Sequence, residues 1–127
     1  MRRPNQILEK SKEFAIRVVN LYKYVTANRS EYVLSKQLLR SGTSIGANVR
    51  ESVYAQSRAD FNAKMYIALK EANESAYWLE LLAETEYLTP TRAKSMLDDC
   101  IELIKILSSI TKTTKERKEN PECQINS

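Results

Sequence analysis

Both glycines of the 127-residue chain lie in one short segment, at Gly42 and Gly46, which otherwise has the sequence pattern of a helix. Inside a helix, a glycine costs about 1 kcal/mol relative to alanine. Two glycines one turn apart are typical of a place where a second helix approaches closely, because small residues let the two backbones come together. We therefore expect Ser41 to Ala47 to form a helix-crossing surface, within one chain or between subunits.

The scarcity of turn-forming residues favours long helices over strands, since the whole chain has two glycines and three prolines. Apolar residues recur at three- and four-residue spacing in four segments. In the third segment Asp60 is a good candidate for the helix cap, and Thr89 followed by Pro90 is the clearest helix start. The predicted helices cover approximately residues 5–27, 30–55, 57–86 and 90–114.

Short polar turns separate these helices, so consecutive helices must lie side by side in opposite directions. The sequence therefore predicts an all-α fold, an antiparallel up-down-up-down four-helix bundle, that occupies residues 1–114 as one domain. Residues 115–127 are polar and contain Pro121, and we expect them to be a disordered tail.

The composition argues against an enzyme. The chain has no histidine, which removes the commonest general base and the commonest metal ligand. Cys100 and Cys123 lack further ligands nearby, and Glu51, Glu71 and Glu74 lack the Glu-x-x-His pairs of di-iron bundles. We expect no catalytic residue, no metal and no cofactor. With no N-terminal apolar segment and no apolar run of about 20 residues, a cytoplasmic protein without a membrane span is expected.

The segment from Leu38 to Glu51, LLRSGTSIGANVRE, resembles the second-helix signature of the four-helix bundle proteins encoded by intervening sequences in bacterial 23S ribosomal RNA genes. Residues 57–61, 67–74 and 77–82 resemble their third helix. The resemblance covers nearly the whole chain and implies a ring of subunits, typically a homopentamer. The family is also similar to the accessory variability determinant of diversity-generating retroelements, a pentameric barrel that binds a reverse transcriptase and nucleic acid.

Polar residues continue the face that carries the glycines. If Asn48 and Glu51 are buried they need partners, and Asn73 or Glu74 of the third helix could supply a hydrogen bond. Such a polar layer would specify the register of the helices at some cost in stability. The residues predicted to contribute to helix packing or to oligomer contacts are Ser41, Gly42, Ser44, Gly46, Asn48, Glu51, Asn73 and Glu74.

A second pattern is a basic stripe on the first helix. Arg3, Lys10 and Arg17 repeat every seven residues, and Lys23 lies near the same face. Exposed lysines and arginines can contact phosphates, so these four residues are the predicted nucleic-acid contacts. The alternative is a solvated helix face whose local partners are acidic residues of the same helix, Glu9 and Glu13.

Together these features predict a non-enzymatic oligomer that acts as an RNA-binding or ribonucleoprotein adaptor through phosphate contacts. Its expected partners are further copies of itself, RNA or DNA, and a protein such as a reverse transcriptase. The alternative is a protein-interaction scaffold with no nucleic-acid role, which would use wide apolar faces and an acidic third helix. An exposed, unpaired stripe favours the adaptor, and a stripe buried at a subunit boundary favours the scaffold.

Overall fold

Within the part of the chain that the structure describes, four long helices are present, which confirms the predicted number and order. The computed structural model describes the backbone of residues 2–119 and the side chains of residues 6–113. No strand occurs among these residues, and no helix in this part of the chain is long and apolar enough to cross a membrane. The helices are α1 (Arg2–Arg29), α2 (Leu34–Val53), α3 (Arg58–Glu84) and α4 (Pro90–Glu119).

Side-chain caps fix the starts of α3 and α4. The predicted α4 start is confirmed, because Pro90 is its first residue and the Thr89 hydroxyl accepts a hydrogen bond from the Arg92 N–H at 3.2 Å. The prediction that Asp60 caps α3 is wrong. The cap is Ser57, whose extended backbone lets its hydroxyl accept from the Asp60 N–H at 3.1 Å, and Asp60 lies within the first turn.

The turn between α1 and α2 uses an acidic cap. Ser30 adopts a left-handed backbone conformation with φ 54°, and the Glu31 carboxylate accepts hydrogen bonds from three backbone N–H groups, those of residues 33, 34 and 35, at 2.8–2.9 Å. Burial raises the pKa of Glu31, but these hydrogen bonds outweigh it, so the net pKa lies below the ordinary value. α2 therefore begins at Leu34, later than the predicted start at Ser30.

Neighbouring helices run antiparallel, as predicted. α1 packs on α2, α2 on α3 and α3 on α4, while the α1–α4 contact that closes the bundle is the least extensive. Across α2 and α3, Ser41 meets Ser75 and Glu51 meets Lys64, so the residue numbers rise in opposite directions. One continuous core lies between the helices, and its largest fully buried side chains include Phe14, Val18, Leu38, Ile45, Met65, Leu79, Leu82, Leu103 and Leu107.

The end of α4 differs from the predicted one. The helix was expected to end near Thr114, and its backbone continues to Glu119. Residues 120–127 of the predicted tail lie outside the described residues. The division into a bundle domain and a disordered tail stays a prediction.

Candidate nucleic-acid interface

The predicted basic stripe lies at the α1–α4 seam, where acidic residues of α4 meet it. Lys10 Nζ is 3.2 Å from a carboxylate oxygen of Glu102. Arg17 donates to Asp99 at 2.5 Å, to the Ser95 hydroxyl at 2.8 Å and to the Ser95 carbonyl at 3.3 Å. Lys10 and Arg17 are thus each paired with a carboxylate of the same chain. A phosphate would have to compete with these two carboxylates for them.

The other two predicted phosphate contacts have different surroundings. The side chain of Arg3 lies outside the described residues. Lys23 is exposed and forms no ion pair with a described carboxylate. Of the predicted set, Lys23 is the described residue whose charge is free for a polyanion.

A second group of cations lies on the opposite flank of α1, towards α2. Lys12 and Arg50 line a shallow groove of about 320 Å³, and neither forms an ion pair with a described side chain. Lys36 is fourteen residues before Arg50 and seven before Thr43, so it lies on the same line of α2, and Lys23 follows Lys12 by about three turns of α1. We call Lys12, Lys23, Lys36 and Arg50 the α1–α2 basic face. The rest of the groove is lined mainly by apolar or small residues, namely Leu8, Ala15, Thr43, Gly46 and Ala47.

The glycine segment forms the crossing between α2 and α1. A Cβ atom on Gly42 would lie 2.8 Å from a methyl carbon of Val18, and one on Gly46 would lie 3.3 Å from the backbone oxygen of Ser11. The expected close approach of a second backbone is therefore present within the chain. A role of this segment in contacts between subunits stays a prediction.

The predicted hydrogen bond from Asn48 to Asn73 or Glu74 is wrong. The Asn48 amide donates to the Ser44 carbonyl at 2.9 Å, and the Asn73 amide donates to the Leu69 carbonyl at 3.2 Å. Each asparagine satisfies itself on its own helix four residues back, which is a common alternative for short polar side chains.

The polar contact that does cross from α2 to α3 joins two buried serines. The hydroxyls of Ser41 and Ser75 are 2.8 Å apart. The Ser75 hydroxyl is also 2.8 Å from the Glu71 carbonyl of its own helix, and the Ser41 hydroxyl is 3.4 Å from the Leu38 carbonyl. Ser41 was predicted from the sequence as a packing residue, and Ser75 was not. The spacing could have indicated Ser75, because it lies three residues after Ala72 and four before Leu79, two core residues of the same helix face.

Glutamates of α3 are engaged by Arg40. This guanidinium pairs with Glu74 and lies 3.4 Å from Glu71, and the Trp78 indole donates to Glu74 at 3.5 Å. Partial desolvation lowers the pKa of Arg40, but the two carboxylates outweigh it and the net pKa is raised. Glu51 pairs instead with Lys64 at 2.9 Å. No three His, Cys, Asp or Glu side chains come together as a possible metal site within the described part of the chain.

Several tyrosines lie on the surface rather than in the core. Tyr54 is 79% exposed, and Tyr32, Tyr66 and Tyr77 are also exposed. Tyr24 packs under the guanidinium of Arg92, whose central carbon is 3.9 Å from the ring centroid. None of the tyrosines is fully buried, although Tyr24 and Tyr87 are partly buried against the core.

Comparison with known proteins identifies relatives over most of the chain. A sequence model of the 23S rRNA-intervening sequence protein family matches residues 3–109. Among solved structures, a Bacteroides thetaiotaomicron protein, described as a protein with unknown function from the S23 ribosomal protein family, is 57% identical and superposes with a TM-score of 0.85. That match covers 87% of this chain and 98% of the other. A search of curated proteins returns no match.

Proposed function

The chain belongs to the 23S rRNA-intervening sequence protein family, and on that premise we propose that it is a non-enzymatic adaptor that binds RNA through phosphate contacts. The main RNA contact surface in this proposal is not the basic stripe predicted from the sequence, which lies at the α1–α4 seam. Its centre is the α1–α2 basic face, and the residues of the seam are secondary.

One observation supports this choice: the four cations of the α1–α2 basic face are exposed or line an open groove, and none has an ion-pair partner among the described side chains. From the rise of an α-helix, Lys12 and Lys23 are about 16 Å apart along α1, and Lys36 and Arg50 about 21 Å apart along α2. Cations spread over such a distance can meet several phosphates of one RNA strand, and each contact releases counterions and adds salt-dependent affinity.

Assembly would strengthen binding that is weak in one subunit. We include in the proposal a homo-oligomeric ring, with five subunits as the expected number, in which every subunit presents the same basic face. Repeated weak contacts on one RNA molecule multiply through effective concentration. Native mass spectrometry of the purified protein tests the ring, and a monomer at micromolar concentration would remove this part of the proposal.

The test of RNA binding is fluorescence anisotropy with a labelled structured RNA and nuclease-treated protein across a salt series. We expect the affinity to fall steeply with salt, and Lys12→Gln with Arg50→Gln to weaken binding about tenfold or more at low salt. The matched control is Lys105→Gln with Lys112→Gln, which removes the same charge from an exposed line of α4.

Two results would contradict the proposal. One is flat anisotropy of the wild-type protein at low salt. The other is an equal loss of affinity in the control variant, which would mean that net charge alone drives binding. A third variant, Lys10→Gln with Arg17→Gln, is expected to lose less affinity than Lys12→Gln with Arg50→Gln, because the charges it removes are already paired with carboxylates.

The second candidate function is a scaffold for a protein partner, and exposed apolar side chains at the two ends of the bundle favour it. At one end Val33 is 71% exposed next to the exposed Tyr32, and at the other Tyr54 is 79% exposed next to the exposed Val53. Large apolar side chains left in water are typical of interaction surfaces when they cluster. If RNA binding fails, and Tyr54→Ser changes the mass of the assembly or abolishes capture of a reverse transcriptase, the scaffold replaces the adaptor.

A further inference from the structure

A groove between α1 and α4 carries a different set of polar groups from the α1–α2 basic face. It encloses about 380 Å³ and is open to solvent. Two arginines approach it from opposite helices, Arg17 from α1 and Arg92 from the first turn of α4. Asn20, Thr91 and Ser95 add an amide and two hydroxyls to its wall.

Arg92 is held in place without using its hydrogen-bond donors. Its guanidinium lies over the Tyr24 ring, with 3.9 Å from the central carbon to the ring centroid. No hydrogen bond or ion pair from this guanidinium to a described residue is formed. A planar guanidinium stacked on an aromatic ring keeps its N–H edges available for bidentate contact with an oxyanion.

Arg17 is positioned by three hydrogen bonds, one to Asp99 and two to Ser95. A guanidinium has five N–H donors, so two remain for a ligand. Asp99 offsets the charge of Arg17, and the groove therefore keeps one net positive charge, from Arg92, together with directed donors on both walls. The groove also lies at the first turn of α4, where the helix dipole adds a smaller attraction for an anion to that of the guanidinium groups.

We propose that this groove binds a terminal phosphate monoester, the 5′-phosphate of an RNA, between Arg17 and Arg92. A monoester has three terminal oxygens and a charge of about −1.5 to −2 at neutral pH. It can therefore use donors from both arginines at once, whereas an internal phosphodiester offers two free oxygens and a single charge. The inference rests on the proposed RNA-binding function, and it adds that the protein recognises the 5′ end of the RNA.

The experiment compares two RNAs of the same sequence, labelled at the 3′ end, that carry either a 5′-phosphate or a 5′-hydroxyl. With the full-length wild-type protein we expect the 5′-phosphate RNA to bind about tenfold more tightly. Arg92→Gln should remove the preference, and Arg92→Lys, which keeps the charge over Tyr24 but not the bidentate edge, should reduce it. Lys105→Gln, an exposed cation elsewhere on α4, should keep it. Far-ultraviolet circular dichroism melting curves verify that each variant is folded.

Different failures separate the two proposals. Equal binding of both RNAs by the wild-type protein overturns the 5′-phosphate site and leaves RNA binding intact, as does a preference that survives in folded Arg92→Gln. If neither RNA binds, the proposed function fails, and a titration with inorganic phosphate at constant ionic strength decides the groove alone. Saturable movement of the Arg92 side-chain Nε–H signal in NMR spectra supports a phosphate site there, and an unchanged signal overturns it.

Discussion

At the scale of single residues, the start of α2 depends on Glu31. The Glu31 residue is 8% exposed, and its carboxylate accepts three backbone hydrogen bonds from the first turn of the helix. The Ser35 hydroxyl donates to the Glu31 carbonyl at 2.9 Å and closes the turn from the other side. The first N–H groups of a helix have no partner within it, so a buried helix start depends on an acceptor of this kind.

Replacement of Glu31 with glutamine is expected to lower the free energy of unfolding by about 1–3 kcal/mol at pH 7, because the charged acceptor of three N–H groups is lost. Since folding lowers the pKa of Glu31, its stabilisation is complete above the ordinary value of 4.5 and is lost as the pH falls through the lower folded-state pKa. The difference between wild type and variant should therefore shrink below that pH. Urea denaturation between pH 7 and pH 3 measures it.

The control for Glu31 is Glu80→Gln, an exposed glutamate in α3 that accepts no hydrogen bond from a described residue. It should change the stability little at any pH. A wild-type-minus-Glu31→Gln difference that stays constant from pH 7 to pH 3 would contradict the role assigned to the cap.

Replacement of Gly42 with alanine is expected to lower the free energy of unfolding. Alanine would gain about 1 kcal/mol of helix propensity, but its Cβ would lie 2.8 Å from a methyl carbon of Val18. Overpacking of this kind costs about 1–3 kcal/mol, and because valine is stiff we expect net destabilisation. In urea denaturation, Gly42→Ala combined with Val18→Ala should be less destabilised than the sum of the two single variants. The prediction is contradicted if the two destabilisations simply add, or if Gly42→Ala is more stable than wild type. Either result would mean that α1 moves away from the new methyl group with no loss of stability.

At the scale of elements, the seams between helices are built from different interactions. α1 and α2 meet at glycines, with Gly46 close to the backbone of Ser11. α2 and α3 share the buried hydroxyl pair of Ser41 and Ser75. α1 and α4 make the least extensive contact, which includes two partly exposed ion pairs. Partly exposed ion pairs also join α2 to α3. Because such pairs contribute little and are screened by salt, we infer that ionic strength weakens these charged contacts and leaves the buried hydroxyl pair unchanged.

A double-mutant cycle with Arg17→Gln and Asp99→Asn tests this difference. We expect a coupling free energy of about 0.2–1 kcal/mol at low salt, since both side chains are partly exposed. The coupling should approach zero near 1 M salt, where the screening length is about 3 Å. The same cycle with Ser41→Ala and Ser75→Ala is the control, because an uncharged buried pair should keep its coupling. Equal salt dependence of the two cycles would refute the distinction between the exposed ion pair and the buried hydroxyl pair.

At the scale of the whole molecule, one core joins all four helices, and Cys100 reports on it. The thiol is fully buried between α4 and α3 and donates to the Ala72 carbonyl at 3.2 Å. Burial, together with the nearby carboxylates of Asp99 and Glu80, raises the pKa of Cys100 to about 12. Only the thiolate reacts readily, so the thiol should react when the bundle opens and not before.

We predict that Cys100 reacts with a thiol reagent at pH 8 about a thousandfold more slowly in the folded protein than in concentrated urea, as expected for exposure through rare opening. Cys123 lies outside the described residues, so the measurement uses the Cys123→Ser protein, in which Cys100 is the one thiol. Rapid labelling of the folded protein would mean that the α3–α4 seam opens locally.

The number of helices, their order and the start of α4 could all be predicted from the amino-acid sequence. These features depend on residues close together in the chain: the three- and four-residue spacing of apolar side chains, and a threonine–proline pair at residues 89 and 90. The ordered motifs of the second and third helices were also enough to indicate the family. Such patterns can be recognised in the sequence because the residues that form a helical turn are close together in the chain.

Which charged and polar groups lack a partner depends on how the four helices pack together. Arg17 looked available in the sequence, but its partner Asp99 is 82 residues away. Lys12 and Arg50 came together in one groove because α1 and α2 cross at the glycines. Asn48 and Asn73, one of the polar pairs that the sequence suggested, each donate instead to a carbonyl of their own helix. The rotation and register of each helix set these partners, and both follow from packing of the whole core rather than from any single segment.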